Sequence, residues 1–448
     1  MSLKSSLAIA TGKSAYWFLH KFRNGGSSLP GKLTTKIDPD ILKVLGKNYD
    51  VIVITGTNGK TLTTALTVKV LNQKFPQVLT NPSGSNMEQG IVTTFLTAKK
   101  SKNGRQIAVL EVDEANVIKV TKYIKPLAFV FTNIFRDQMD RYGEIYTTYQ
   151  KILDGVALAP EATIIANGDA SIFNSKQLPN PIQYYGFNNQ PDGETMAAVN
   201  TDGILCPVCQ HILHYKSIVY SNLGKYYCPN CGFKRPELTY QLTSIDNLTP
   251  ATSAFTIDHT AFTLHIGGLY NVYNALAAYA VGRFMGVAVA DIQTALNDPD
   301  ERVFGRQEQI QVGDKEITIV LVKNPVGLNQ VIDMVGTEKE PFSLVGLLNA
   351  NYADGIDTSW IWDGEFEKLP KMNIKQFMTG GERYKDITFR LKVAGVPEDR
   401  LTVTPSLQDA IEKFKDLPTK RVYVFATYTA MIQLRKQLAE DGYIKEGI

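Results

Sequence analysis

The chain contains 448 residues, of which 44% are hydrophobic and 20% are charged, so it is long enough for two or three domains with buried cores. These proportions exclude a wholly disordered or fibrous protein, and a net charge of +3 is too small to indicate nucleic-acid binding by itself. No apolar run approaches the roughly 18 residues that span a bilayer, so the composition predicts a soluble, cytoplasmic protein.

The first 40 residues predict an N-terminal arm that contains one helix and a linker. One helical face carries apolar and small side chains, with lysines elsewhere; its residues are Leu3, Leu7, Ser14, Phe18 and Phe22. Two interpretations stay open: a helix packed on the body of the protein, or a basic segment that touches an anionic membrane surface or a partner. Residues 25–31 predict the linker.

Apolar runs alternate with helical patterns through the rest of the chain, which predicts an α/β protein with helix-covered parallel sheets. The strand candidates of the first series are 50–55, 106–112, 127–132 and 163–166. A second series begins near residue 316. We therefore expect a central domain at 41–303 and a Rossmann-like α/β domain at 304–448. Residues 190–262 interrupt the first series and predict a small inserted β unit.

A glycine-rich turn follows the first strand candidate and precedes a helical pattern. Residues 51–64 read VIVITGTNGKTLTT, and backbone N–H groups and a helix N-terminus at such a turn attract phosphate. Lys60 is expected to reach the β- and γ-phosphates, and the Thr61 hydroxyl is expected to bind Mg²⁺. Ile54 stands where the usual P-loop has its first glycine. The predicted ATP-binding residues of this turn are Thr57, Asn58, Gly59, Lys60 and Thr61.

The T-G-T-N-G-K-T form of the turn resembles that of Mur ligases and folylpolyglutamate synthases. Residues 132–143 also match this superfamily, although Gln138 stands where most Mur ligases carry a metal-binding His. Lys151 lies near the position of a carbamylated Lys in those ligases, but not in register with it. The resemblance implies a Mur ligase-like P-loop ATPase as the central domain.

Three further matches imply ligand contacts. Glu111, in LEVDEAN, matches the family's Mg²⁺-binding acid, and a carboxylate suits that cation; a surface acid at a strand end is the alternative. Asn271, in GLYNVYNALAA, matches a residue placed against adenine or the nearby loop, with Asn274 as a second candidate, although both also suit a helix N-terminus. Arg306, in GRQE, matches the arginine that touches the γ-phosphate when the last domain closes.

All four cysteines of the chain form two C-P-x-C pairs within one short stretch: Cys206, Cys209, Cys228 and Cys231. This spacing predicts a ribbon, at about 200–236, whose thiolates hold one Zn²⁺ tetrahedrally. A redox disulfide pair and an iron–sulfur centre are the alternatives. Four thiolates leave no open coordination position, so we expect the site to be structural.

The C-terminal part supplies a closer match. Residues 349–363 read NANYADGIDTSWIWD; together with the cysteine insert and the FRDQMDR stretch, this run resembles the ligase subunits of lipid II isoglutaminyl synthases. The resemblance implies that ATP activates the α-carboxylate of D-glutamate in the lipid II stem peptide, and that ammonia converts the acyl phosphate to D-isoglutamine. It also implies a heterodimer with a GatD-type glutamine amidotransferase and peripheral contact with the inner face of the membrane.

The same resemblance implies that this chain lends an aspartate to the partner's glutaminase site. Asp357 is the first candidate and Asp354 the second, because an Asp can orient a catalytic His and stabilise its cation. The residues alone favour a plainer interpretation, in which Asp-Gly forms a turn and Asp357 caps a helix.

Two other functions remain as alternatives. One is an ATP-dependent amino-acid ligase that resembles folylpolyglutamate synthase and accepts an amino acid instead of ammonia. The other is a nucleotide-gated module that places the zinc ribbon on nucleic acid, which the modest charge argues against.

Overall fold

The computed structural model describes residues 2–22, 28–82, 84–99, 104–136, 145–198, 201–299 and 307–444. The chain divides into two compact units. The first comprises Met1–Ile245, Phe255–Thr263 and Asn271–Asp298; the second comprises Asp246–Ala254, Leu264–Tyr270 and Pro299–Ile448. The last division lies close to the expected boundary near 303, whereas two short segments from the expected central domain cluster with the C-terminal unit.

Strands and helices alternate along most of both units. The strands are β1 (Tyr49–Thr55), β2 (Leu79–Thr80), β3 (Gln106–Glu111), β4 (Ala128–Phe131), β5 (Thr163–Asn167), β6 (Ile182–Phe187), β7 (His214–Tyr220), β8 (Leu223–Tyr227), β9 (Tyr240–Leu248), β10 (Ser253–Ile257), β11 (Thr260–Leu264), β12 (Glu308–Val312), β13 (Lys315–Leu321), β14 (Phe342–Leu347), β15 (Ile374–Gly380), β16 (Leu401–Val403) and β17 (Arg421–Ala426). The α-helices are α1 (Leu3–Phe22), α2 (Leu29–Ile37), α3 (Ile41–Leu45), α4 (Lys60–Leu71), α5 (Glu88–Thr97), α6 (Val117–Thr121), α7 (Ile145–Val156), α8 (Leu269–Phe284), α9 (Val289–Asn297), α10 (Pro325–Val335), α11 (Tyr384–Val393), α12 (Leu407–Phe414) and α13 (Tyr428–Glu440). The predicted strands of both series are thereby confirmed.

A nine-stranded sheet with the order β11-β10-β9-β6-β5-β4-β1-β3-β2 forms the core of the first unit. The strands from β9 to β2 in this order pair in parallel, and β1 is almost entirely buried because its Val and Ile side chains are covered on both faces. The chain adds β3 on one side of β1 and then β4 on the other. Ligands of open α/β sheets bind at such a reversal, beyond the carboxyl ends of the strands.

The inserted β unit is smaller than residues 190–262. Only β7 and β8 form a separate two-stranded sheet, whereas β9, β10 and β11 extend the main sheet. The C-terminal boundary of the insert is set by strand pairing, because β9 lies parallel to β6 with Phe187 opposite Leu242. The insert therefore leaves the sheet at the end of β6 and returns to it beside the same strand.

Helix α1 forms as predicted, but its predicted apolar face points outward. It packs on α2 and α5 through small side chains at Ser5, Ala8 and Gly12, which are buried. The helix therefore packs on the body, as one of the two interpretations predicts, but not through the apolar face, because Leu3, Leu7, Ser14, Phe18 and Phe22 are exposed. Residues 29–31 of the predicted linker belong instead to α2, which begins at Leu29 with a proline in its first turn, and residues 25–27 lie outside the described residues.

The second unit contains a six-stranded sheet with the order β12-β13-β17-β14-β15-β16, parallel except for the β12–β13 pair. Alternate residues of β14 enter two apolar clusters, with Leu344 in one and Val345 in the other. Helices therefore cover both faces of the sheet. The connection from β14 to β15 contains two 3₁₀ turns, Ser359–Asp363 and Phe366–Lys371, where the sequence predicts a helical pattern.

Candidate functional site

The predicted phosphate loop lies between β1 and α4, at the point where the chain reverses its progress across the sheet. Gly56 and Gly59 both have positive φ, at 131° and 83°, a conformation that glycine adopts without strain. A Cβ on Gly56 would lie 2.4 Å from Thr132 Oγ1, and one on Gly59 would lie 2.1 Å from Asn274 Oδ1. A side chain at either position would therefore clash with its neighbours and would also strain the backbone.

The end of β4 holds this loop in place. Asn133 accepts a hydrogen bond from the Asn58 backbone N–H at 2.8 Å, and the Thr132 hydroxyl donates to the Asn58 carbonyl at 3.0 Å. The Thr57 hydroxyl donates to the Phe135 carbonyl at 3.2 Å and accepts from the Phe135 N–H at 3.1 Å. The described part of the family-like stretch at 132–143, residues 132–136, therefore positions the phosphate loop.

Lys60 makes a buried ion pair that the sequence does not predict. Its Nζ lies 3.4 Å from both carboxylate oxygens of Glu114, and it donates to the carbonyls of Gly56 and Thr57. Glu114 lies in a 3₁₀ turn after β3, three residues beyond the predicted metal ligand Glu111. The turn brings this second acid, rather than Glu111, into contact with Lys60.

Glu111 lies at the end of β3, the strand beside β1, and Thr61 lies at the start of α4. Glu111 ends β3, is buried, and accepts a hydrogen bond from the Asn86 side chain at 3.0 Å. The Asn81 side chain donates a hydrogen bond to the Glu111 carbonyl and accepts one from the Glu111 N–H, which fixes the end of the strand. Thr61 lies half-buried in the first turn of α4. A carboxylate and a hydroxyl are suitable ligands for Mg²⁺.

The asparagines of α8 lie against the loop. Asn274 accepts a hydrogen bond from the Thr63 hydroxyl at 3.1 Å and donates to Asn271 Oδ1 at 3.3 Å. Asn274 thus contacts the first turns of α4, and Asn271, its hydrogen-bond partner, is fully buried. The remaining predicted ligands, Arg306 and Gln138, lie outside the described residues.

The four cysteines come together at one end of the insert. Their sulfur atoms all lie within 4.8 Å of one another, with Cys206 and Cys231 at 3.6 Å and Cys209 and Cys228 at 3.5 Å. Tetrahedral Zn²⁺ with bonds of about 2.3 Å sets its sulfurs about 3.8 Å apart, so the cluster fits that ion. A hydrogen bond from the Asn230 side chain, with another from the His211 backbone, lowers the pKa of the Cys209 thiol to about 6.

The insert packs against the groups that hold the phosphate loop. The Tyr220 ring, at the end of β7, lies 5.7 Å from the Tyr273 ring of α8 and 6.2 Å from the Phe135 ring. Buried Asp169 accepts hydrogen bonds from the Tyr273 hydroxyl at 2.7 Å and from Arg235, at the end of the ribbon, at 2.8 Å. Burial, with the charge of Asp169, raises the pKa of Tyr273, which keeps this hydroxyl a donor.

The two predicted aspartates of the second unit have different surroundings. Asp354 is buried, and its carboxylate accepts hydrogen bonds from the backbone N–H and the hydroxyl of Thr429 and from the N–H of Asn351. Asp357 is exposed and accepts 2.8 Å hydrogen bonds from the N–H and hydroxyl of Ser359. Asp354 therefore fixes the loop to the start of α13, while Asp357 lies at the surface and holds Ser359, the first residue of a 3₁₀ turn that begins after Thr358.

Large apolar side chains are exposed around Asp357. Tyr352 and Ile356 precede it, and Trp362 follows it with its ring 5.4 Å from the guanidinium of Arg390. Arg390 is buried and donates to the carbonyls of Ile361 and Gly364, so it anchors the segment from inside. Exposed apolar side chains are thus grouped on the surface around Asp357.

Two family models match the chain: the Mur ligase middle domain over residues 54–282, and the MurT ligase C-terminal domain over residues 321–431. The "Lipid II isoglutaminyl synthase (glutamine-hydrolyzing) subunit MurT" of Streptococcus pneumoniae (strain ATCC BAA-255 / R6) is 51% identical over 446 residues, which cover 100% of this chain and 99% of that relative. The protein of the same name from Staphylococcus aureus (strain COL) is 35% identical over 415 residues, covering 92% of this chain and 93% of its own.

Among solved structures, a pseudomurein peptide ligase type C from Methanothermus fervidus matches with a TM-score of 0.65 and 22% identity, over 92% of this chain and 83% of that one. This likeness shows a Mur ligase-type fold.

Proposed function

The chain belongs to the MurT family of Mur ligases, and from this premise we propose that it amidates the α-carboxylate of D-glutamate in the lipid II stem peptide. ATP transfers its γ-phosphoryl group to the carboxylate, and ammonia attacks the acyl phosphate. Phosphate leaves with the C–O bond electrons, a proton is lost, and D-isoglutamine remains. The observation that carries this proposal is the phosphate loop, set between β1 and α4 in a chain that is half identical to a lipid II isoglutaminyl synthase subunit.

The nucleotide chemistry requires charge to be neutralised around the transferred phosphoryl group. Lys60 supplies one cation at the start of α4, and the loop N–H groups and the helix dipole supply further positive potential. Glu111 and Thr61 are the residues that would hold Mg²⁺, which neutralises charge on the phosphates when bound. Arg306 remains the proposed γ-phosphate contact.

The source of ammonia is proposed to be a second chain. All four cysteines belong to the cluster that could hold a metal ion, so this chain offers no other thiol for a cysteine-dependent glutaminase. The relatives are named as subunits of glutamine-hydrolyzing synthases, which supports a GatD-type glutamine amidotransferase as partner. Exposed Asp357, with apolar Tyr352 and Ile356 beside it, is the residue we propose to orient the partner's catalytic His.

Lipid II is a membrane lipid, so the proposed reaction takes place at a membrane surface. Among the described residues, no helix is both long enough and apolar enough to cross a bilayer. The proposed contact with the inner face of the membrane is therefore peripheral.

The test combines the full chain with a GatD-type subunit, lipid II, Mg²⁺-ATP and glutamine, and follows by mass spectrometry the replacement of a carboxyl OH by NH₂. Asp357→Asn is expected to lose activity with glutamine and to keep it with ammonium chloride. The matched control is Asp399→Asn, at an exposed acid of the same unit, which should behave as wild type with both nitrogen sources.

Other outcomes contradict the proposal in distinct ways. Loss with both nitrogen sources would assign Asp357 to the ligase site or to folding. Absence of amidation in wild type, with ATP consumed only when an amino acid is added, would favour the folylpolyglutamate synthase-like alternative.

A further inference from the structure

The outer face of α1 carries a row of large apolar side chains. Leu3, Leu7, Trp17 and Phe18 are 92%, 61%, 58% and 54% exposed. At about 100° per residue they fall within one sector of the helix, roughly a quarter to a third of its circumference. Soluble proteins rarely expose so many large apolar groups together unless the surface binds something. We call these four residues the α1 patch.

The helix cannot turn this patch toward the body of the protein. A Cβ at Gly12 would lie 2.0 Å from Thr34 Oγ1 and 2.6 Å from Leu96 Cδ2, so the inner face admits only a very small residue there. On the same face, the Ser5 hydroxyl donates to Asp38 at 2.7 Å in a buried hydrogen bond. Close packing of small residues thus fixes the rotation of α1 and leaves the large residues outside.

The charges around the patch select the kind of partner. Residues 1–37 contain five Lys and one Arg, and no Asp or Glu. Lys4 and Lys13 flank the patch on opposite sides of the helix, and the Lys21 Nζ lies 4.9 Å from the centre of the Trp17 ring. A flat apolar row bordered by cations and containing a Trp is complementary to anionic lipid headgroups above acyl chains.

From this packing and charge we infer that α1 lies in the plane of an anionic lipid surface, with the α1 patch inserted at the boundary between headgroups and acyl chains. A helix of 20 residues spans about 30 Å along that surface. The inference deepens the proposed function and rests on it for its purpose, because a lipid-linked substrate would then meet an enzyme already held at its membrane. The binding itself needs only the helix and the lipid.

The experiment measures binding of the full chain to sedimenting vesicles of phosphatidylcholine, with and without about a third phosphatidylglycerol. Wild type is expected to bind the anionic vesicles, and to bind them less well as salt rises from about 0.1 M to about 0.5 M. The double variant Leu7→Glu/Phe18→Glu is expected to bind at least about tenfold more weakly, since two charges would enter the acyl region. Emission of Trp17 should shift to the blue on binding, and Trp17→Phe should remove that shift.

The matched control places the same two charges on exposed apolar residues elsewhere in the first unit, as Leu127→Glu/Leu158→Glu, and should bind vesicles like wild type. Equal loss in both double variants, or no binding by wild type, overturns the inference. If wild type is a dimer and Leu7→Glu/Phe18→Glu is a monomer, the α1 patch binds a second copy of the chain. If that variant no longer binds the amidotransferase, the patch binds the partner subunit. Either result also overturns the inference.

The failure of this inference is distinguishable from failure of the proposed function. Amidation of detergent-solubilised lipid II should be unchanged in Leu7→Glu/Phe18→Glu, because the two side chains are exposed and are not among the residues assigned to the nucleotide site. Amidation without vesicle binding refutes only the lipid contact. Vesicle binding without amidation refutes only the proposed reaction.

Discussion

Lys60 and Glu114 show why a motif locates a site but not its ion pairs. The GKT signature predicts a lysine near phosphate because the strand, the turn and the helix are all encoded locally. The contact with Glu114 depends on how a 3₁₀ turn three residues beyond Glu111 folds over the loop, which no periodicity in the sequence reports. Asp354 and Asp357 give the same lesson, since only the fold decides which of two neighbouring acids is buried.

Glu114→Gln is expected to strengthen binding of ADP measured without Mg²⁺ by roughly fivefold, because Lys60 now divides its charge between Glu114 and the ligand and would lose the competing carboxylate. The same variant should lower the free energy of unfolding by about 1–3 kcal/mol, since a buried charged hydrogen bond is lost. Titration calorimetry and denaturant unfolding measure the two effects.

Glu111→Gln is the control for that experiment, because it neutralises the neighbouring acid without touching Lys60. It should leave Mg²⁺-free binding of ADP nearly unchanged and weaken the dependence on Mg²⁺. Weaker Mg²⁺-free binding in Glu114→Gln would show that Glu114 organises the loop for nucleotide instead of competing with it.

Among the secondary-structure elements, the β7–β8 hairpin is linked to two features, the cysteine cluster and a contact with the nucleotide region, and only the first could be predicted from sequence. Cysteine spacing predicts its metal cluster without reference to the rest of the fold. Its contact with the nucleotide region, through Tyr220 against Tyr273 and Phe135, joins segments far apart in the chain and could not be predicted. The sequence predicts helix α1 but not the face by which it packs: an apolar stripe normally faces the core, whereas here the close approach of Gly12 to Thr34 decides the rotation.

Removal of the zinc ion predicted for the cysteine cluster is expected to weaken ADP binding by about threefold to tenfold and to lower the free energy of unfolding, because the ribbon would no longer hold Tyr220 in place. Tyr220→Ala should reproduce the loss of affinity while the metal stays bound, at a stability loss of about 3 kcal/mol. Metal content, calorimetry and thermal unfolding in the same preparations provide the comparison.

Tyr220→Phe retains the ring and serves as the conservative control, so it should bind ADP like wild type. Unchanged affinity in Tyr220→Ala and after chelation would restrict the ribbon to a local structural role.

At the scale of the whole molecule, the proposed activity is divided between two compact units. The first unit carries the phosphate loop, and the second carries the exposed residues around Asp357. The overall α/β class and most of the parallel strands of both units were predictable from alternating patterns, because parallel sheets covered by helices leave nearly continuous apolar runs, whereas β2, β6 and β12 were not among the strand candidates. The exact extent of the insert was not predictable, since β9 to β11 resemble free hairpins until the pairing of β9 with β6 is known.

The division predicts that partner binding can be removed without loss of ligase chemistry. Ile356→Glu is expected to weaken the complex with the amidotransferase by at least about tenfold, because a charge would enter an apolar contact. Amidation from glutamine should fall accordingly, while amidation from ammonium chloride should remain near wild type.

Val403→Glu supplies a comparison at another exposed apolar residue of the second unit, on the edge strand β16, and should leave the complex intact. A complex that tolerates Ile356→Glu would move the partner's contact away from this surface.

The return of the insert to its starting strand has a consequence for the order of folding. Asn188 donates its N–H to the Leu242 carbonyl at 2.7 Å, so residues 188–239 form a closed loop whose closure costs chain entropy that grows with its length. A metal that ties Cys206 to Cys231 shortens the free chain within that loop. A bound ion would then lower the entropy cost of pairing β9 with β6. Refolding without the ion should be slower at the step in which β9 joins the sheet.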